Sequence, residues 1–246
     1  MAVIVAAWVG IGLAITTLRT DAAPAAPPAQ VRDAALLAPV LPVPDGEPPF
    51  VDVMLLAVED LPVFWAVEAE ALWGIEWEPL ALVDAYLPST GSFPTCGSTI
   101  DEISEVELQA FYCPVDDLVA WDAEELFPGA YQWFGAATPA VILAHEWAHA
   151  AQRRAGIDGT TEVMELQADC FAGAWLAQAP ASFDAAAQDF LTRAPSFFAW
   201  IGDPADRYVP VEQRHGDGGQ RLRAFGTGHR AGAAACAVSP ERLGEG

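Results

Sequence analysis

The sequence predicts an α+β domain, mainly α-helical with a small sheet, preceded by a separate N-terminal hydrophobic helix. Three observations carry that expectation. Apolar residues recur at helical spacing through residues 50–73, 139–154 and 161–173. Only residues 76–83 (EWEPLALV) read as a strand, and Pro79 suits an edge position. A proline-rich stretch separates residues 2–18 from everything after it. The expected parts are residues 1–19 as signal anchor or signal peptide, 20–48 as an Ala/Pro-rich linker and 49–246 as the folded domain.

The 246 residues suffice for one domain with a full core plus an appendage. A 53% hydrophobic composition with nine Trp argues against disorder. The net charge is −23, from 34 acidic against 11 basic residues, and every base is Arg. The absence of Lys beside abundant Ala, Gly and Pro is the mark of a nucleotide-composition bias. The acidic balance argues against nucleic acid as a partner and against adsorption to anionic lipid.

Residues 2–18 carry no charge and are almost wholly apolar. As a helix they would span about 25 Å, near the lower limit for crossing a bilayer. A retained anchor, a cleaved signal peptide and a buried soluble helix are the three readings. Prolines 24, 27, 28, 39, 42, 44, 48 and 49 then forbid regular helix over most of the linker. In residues 50–73, Val53, Ala57, Leu61, Phe64, Val67 and Ala71 make an apolar stripe, and Pro62 is a potential kink. The aromatic run of Trp121, Phe127, Tyr131, Trp133 and Phe134 is expected to roof a site, with Tyr131 available to a substrate.

The chemistry is concentrated in His145-Glu146-Trp147-Ala148-His149 and Glu165-Leu166-Gln167-Ala168-Asp169. On a helix, positions i and i+4 share a face about 6 Å apart along the axis, so two imidazoles there can converge on one zinc ion. Glu146, about 100° round the helix, stands beside the metal, where it can take a proton from a zinc-bound water and hand it to a leaving amine. Thr138 as N-cap, Pro139 behind it, Arg153 and Arg154 near the end and Gly156 as terminator frame that helix. A second helix starts at Thr160 or Thr161. Its Glu165 and Asp169 are again i and i+4 in an apolar setting, where carboxylates need partners. One of the two can ligate zinc while the other accepts a hydrogen bond from the far nitrogen of a ligand histidine; Glu165 is expected as the ligand and Asp169 as the orienting group. Two His and one carboxylate leave a position for water, and one zinc per chain is expected.

Four cysteines imply two disulfides in an exported chain, with three connectivities open. Cys96–Cys113 and Cys170–Cys236 are the expected pairs, with free buried thiols as the alternative. Beyond Gly173, residues 181–192 and 197–201 look helical, and a Gly-rich turn from His215 precedes one more helix. His215 is the expected oxyanion-stabilising residue, with Tyr208 and Arg221 as lesser candidates; His229 reads as a surface residue.

The runs HEWAHAAQ and ELQADCFAG resemble the bacterial putative neutral zinc metallopeptidase family. Thr95-Cys96-Gly97, residues 111–116 (FYCPVD), Ile201-Gly202-Asp203, His215-Gly216, Gln220-Arg221 and Phe225 with Gly228 fit the same pattern over residues 49–239. The family has Gly where Ala148 stands, and residues 183–199 diverge. The resemblance implies a zincin-like, gluzincin-type metallopeptidase domain with a strand beside the active-site helix, either residues 76–83 or one near Phe111-Tyr112. It also implies a single N-terminal membrane anchor with the catalytic domain outside the cytoplasm, or a secreted enzyme, acting on peptide or protein. A zinc-bearing scaffold without activity, and a zinc hydrolase of a non-protein amide, are the alternatives.

Overall fold

A computed structural model describes residues 41–43, 47–91, 93–94, 96–97, 107–204 and 208–237. The expected N-terminal hydrophobic helix and most of the expected linker lie outside these residues. Among the described residues no helix is long and apolar enough to cross a membrane.

The apolar stripe after the prolines folds as one helix, α1 (Phe50–Trp73), running through Pro62. Its buried face holds Val53, Ala57, Leu61, Phe64 and Trp65, while Val63 and Val67 lie on the solvent side. Trp65 stacks on Trp73 and Trp77 and meets Phe171 edge-on. That aromatic cluster, with the Trp175 indole N–H donating to Asp60 Oδ2 at 2.8 Å, fastens α1 to the helix carrying Phe171 and Trp175.

The strand expected at residues 76–83 is corrected. Residues 74–80 are irregular, and β1 is Leu82–Tyr86. Trp77 and Leu80 are buried there as anchors of a loop, and Pro79 has no N–H to give a ladder. β2 (Ala110–Cys113) and β3 (Leu118–Asp122) complete a sheet of order β1-β3-β2. β3 runs parallel to β1 and antiparallel to β2, with Phe111 opposite Ala120 and Tyr112 opposite Val119.

After α2 (Leu126–Phe134), α3 (Thr138–Ala155) and α4 (Thr161–Gln178) appear at the expected places. Thr138 is corrected from cap to first helical residue: Ala137 is the N-cap, and the Thr138 hydroxyl donates to the Phe134 carbonyl at 2.9 Å. Gly156 closes α3 as expected. The two helical stretches expected at 181–192 and 197–201 are one helix, α5 (Asp184–Ile201), which continues through Pro195. The Gly-rich turn leads into α6 (Gly218–Ala231), whose Asp217 and Gln220 form a reciprocal capping box.

α6 lies directly on α4. A Cβ at Gly228 would overlap the Cys170 carbonyl, and one at Gly173 would overlap the Phe225 carbonyl. The two helices thus meet backbone to backbone, each through the other's glycine. Cys96 pairs with Cys113, and Cys170 with Cys236, as expected.

Candidate metal centre

α3 turns His145 and His149 to the same side, and α4 brings Glu165 against them. His145 Nε2 lies 3.1 Å from His149 Nε2 and 3.2 Å from Glu165 Oε2. His149 Nε2 lies 3.2 Å from Glu165 Oε1. Ligands about 2.0–2.1 Å from a tetrahedral zinc stand about 3.3 Å from one another. The two imidazoles therefore already stand at zinc-ligand spacing, each meeting its own oxygen of the Glu165 carboxylate. The donor set, two imidazoles and a carboxylate, suits zinc as well.

The charge balance explains how these groups coexist when no ion separates them. Burial works against a charged His145, but Glu165 and Asp169 outweigh it and raise its pKa to about 10. Burial alone would push Glu165 up, but the two histidines hold it well below the usual carboxylate range. A proton on His145 thus occupies the ground a cation would take. Glu146 is different. Burial raises it above the ordinary carboxyl range, and the histidines pull it only partly back. The Tyr112 backbone N–H faces its carboxylate.

Behind the histidines stand two sets of partners. His145 Nδ1 meets Asp169 Oδ1 at 2.9 Å. Arg221 grips the same carboxylate with two donors, Nε to Oδ2 at 2.7 Å and Nη2 to Oδ1 at 3.0 Å. Arg221 Nη2 also lies 3.6 Å from Glu165 Oε2. Burial would raise Asp169, but Arg221 and His145 bring it below its usual range. On the other side His149 Nδ1 meets Gln152 Oε1 at 2.8 Å. Gln152 Nε2 donates to the Met164 carbonyl at 2.8 Å and to Gln167 Oε1 at 3.0 Å. Gln167 Nε2 donates to the Cys236 carbonyl at 3.0 Å.

The family described as "putative neutral zinc metallopeptidase" matches residues 3–238. The chain belongs to that family. Uncharacterized proteins of Mycobacterium tuberculosis and Mycobacterium bovis are similar to it, each 28% identical over 172 residues, covering 56% of this chain and 55% of theirs. The chain thus spans about half the length of the curated relatives it matches. No solved structure matches it.

In this zinc metallopeptidase family member the triad opens onto a cleft of about 530 Å³. β2 and the residues before it form one wall, and Leu126, Val141, Ile142, Phe197 and Ile201 form an apolar one. His215 lies at the edge of the same cleft, half exposed, with Nδ1 3.7 Å from Asp203 Oδ1. The lesser oxyanion candidates are corrected. Arg221 is buried and committed to Asp169, and Tyr208 is 83% exposed and does not line the cleft. Tyr131 is corrected too: it is fully buried and donates to the Pro48 carbonyl at 2.7 Å. Of the stretch that includes the aromatic run, only Leu126 reaches the cleft, while Trp121 and Phe127 stack in the core. His229 stacks on Phe225, partly buried. Gln152 and Gln167 were legible only as members of motifs. Their signal was a polar amide inside an apolar helix, which demands a partner.

Proposed function

We propose that the protein is a zinc-dependent peptidase in which Glu146 is the general base, and that it works outside the cytoplasm on a membrane tether. The observation that carries the reading is the His145, His149 and Glu165 triangle with Glu146 beside it at the floor of a cleft. A zinc ion held there would supply a Lewis acid that polarises the scissile carbonyl and acidifies water. Glu146 takes the proton of the attacking water and passes it to the departing nitrogen. Its raised pKa brings it closer to neutrality than an ordinary carboxylate, which suits a group that must both accept and give a proton. Asp169 and Arg221 keep His145 in register.

β2 is the strand that would hold the substrate. It is an edge of the sheet, and the Asp122 N–H donates to the Gln109 carbonyl at 2.8 Å. By alternation, the backbone groups of Ala110 and the carbonyl of Tyr112 turn away from β3, toward the cleft, while the Tyr112 N–H faces Glu146. An extended peptide can pair with them. The apolar wall then accepts a large apolar side chain next to the scissile bond. His215 stands where it can donate to the oxyanion that forms. Two disulfides suit an oxidising compartment, and the uncharged apolar run at residues 2–18 suits an anchor.

The test loads the protein with zinc and incubates it with a mixed peptide library beside a Glu146→Ala variant, reading cleavage by mass spectrometry. Cleavage beside large apolar residues, absent from the variant, is expected. A protein that holds one zinc and cuts nothing would point instead to a scaffold or to a hydrolase of a non-protein amide.

A further inference from the structure

To hold a metal through Nε2, His149 must carry its hydrogen on Nδ1. The structure explains how that is enforced. An amide side chain presents oxygen at one end and NH2 at the other, and its partners alone decide which end goes where. Backbone carbonyls only accept. The Cys236 carbonyl therefore requires the NH2 end of Gln167. That turns the Gln167 oxygen toward Gln152 and requires the NH2 end of Gln152, which the Met164 carbonyl requires as well. The oxygen of Gln152 is left facing His149 Nδ1, and that nitrogen must be the donor. Each orientation is forced from the far end of the row.

We propose that Gln152 and Gln167 are positioning residues that fix the Nδ1–H tautomer of His149, and that the Cys170–Cys236 disulfide anchors the carbonyl from which their order is set. The inference rests on reading His145, His149 and Glu165 as the metal site. Gln152, Gln167, Cys170 and Cys236 are all at most 1% exposed, so bulk water has no access to reverse either amide. The disulfide joins α4 to the turn after α6, 66 residues on, and holds the Cys236 carbonyl beside Gln167. Two buried amides would be poor core material on their own; as a directed row they satisfy one another.

The test uses the full chain. The zinc dissociation constant is measured by competition with a chromophoric chelator, and the histidine tautomers are read from imidazole nitrogen chemical shifts in the zinc-free protein. Gln152→Leu should weaken zinc about 10–100-fold, the usual range for a lost partner behind a metal ligand. Gln152→Glu should recover most of that loss, because a carboxylate accepts the same N–H. Gln167→Leu should cost less than Gln152→Leu, since the Met164 carbonyl still orients Gln152. Removing Cys170 and Cys236 together should weaken zinc, while removing Cys96 and Cys113 leaves it unchanged. Equal losses from both pairs would overturn the anchoring role. An unchanged zinc constant in Gln152→Leu, or a His149 Nδ1 without its hydrogen in the zinc-free protein, would overturn the proposal. Failure of the unaltered protein to bind zinc would instead sink the metal site, and the tautomer spectrum would still judge the row of amides.

Discussion

His145 and His149 sit one turn apart on the same helix, yet they are braced by opposite means. Behind His145 is charge, the Asp169 carboxylate gripped by Arg221. Behind His149 is a neutral row, Gln152 then Gln167 then a backbone carbonyl. The charged brace raises the basicity of its histidine; the neutral one fixes direction without adding charge. The sum of charges shows why both kinds are present. With zinc in place, the carboxylates of Glu146, Glu165 and Asp169 are balanced by the Arg221 guanidinium and a divalent cation. A fourth carboxylate behind His149 would leave a buried site with net negative charge.

The contrast can be broken most severely at Arg221. Arg221→Met leaves Asp169 and Glu165 in a buried site with only the His145 imidazolium to balance them, and should cost about 3–5 kcal/mol of stability in the zinc-free protein, read by urea unfolding. A loss as small as that of an exposed ion pair would show that solvent screens the brace. Gly228→Ala attacks both braces together, because it drives α6 away from the Cys170 carbonyl. It should cost up to about 3 kcal/mol and weaken zinc as well, since both Arg221 and Cys236 move with α6. Gln152→Glu converts the neutral brace into a charged one. It should lower zinc-free stability by about 1–3 kcal/mol and give much of that back when zinc is added, measured by thermal unfolding with and without the metal.

The effect that is smallest per step is the pH dependence of zinc affinity. In the zinc-free protein His145 titrates near pH 10, against an ordinary value of 6.5. Its raised value stabilises the zinc-free fold fully below pH 6.5, and that contribution is lost as pH rises through 10. Zinc must displace this proton. Affinity should therefore rise about tenfold, or 1.4 kcal/mol, per pH unit up to that value and then level off. Calorimetry in buffers of differing ionisation enthalpy should show about one proton released per zinc below pH 10. Proton-free binding at neutral pH would show that Glu165 and Asp169 do not hold a proton on His145.

What could be read from the chain divides along the same line. The His145/His149 and Glu165/Asp169 pairs announce themselves because i, i+4 spacing is a local property of a helix. The bounds of α1 and the end of α3 are local too. What went astray depends on distant partners. Arg221 read as an oxyanion donor because nothing near it in sequence reveals Asp169, 52 residues away. Residues 76–83 have strand composition, but their Trp77 and Leu80 are spent on the core and the ladder begins only at Leu82. Residues 181–192 and 197–201 read as two helical stretches, yet α5 continues through Pro195 between them, with Phe190, Phe197 and Phe198 packed on both sides. The amides were missed although the argument applied to the carboxylates of α4 applies equally to Gln167.

The docking of α6 on α4 also places an order on events. Both braces draw on residues made after the triad, Arg221 in α6 and Cys236 in the turn behind it. A growing chain that has emerged only through α4 already carries His145, Glu146, His149 and Glu165, but has neither the guanidinium nor the carbonyl that holds them in place. α6 therefore completes the site in order of synthesis: a product that stops after α4 carries His145, His149 and Glu165 without the parts that brace them.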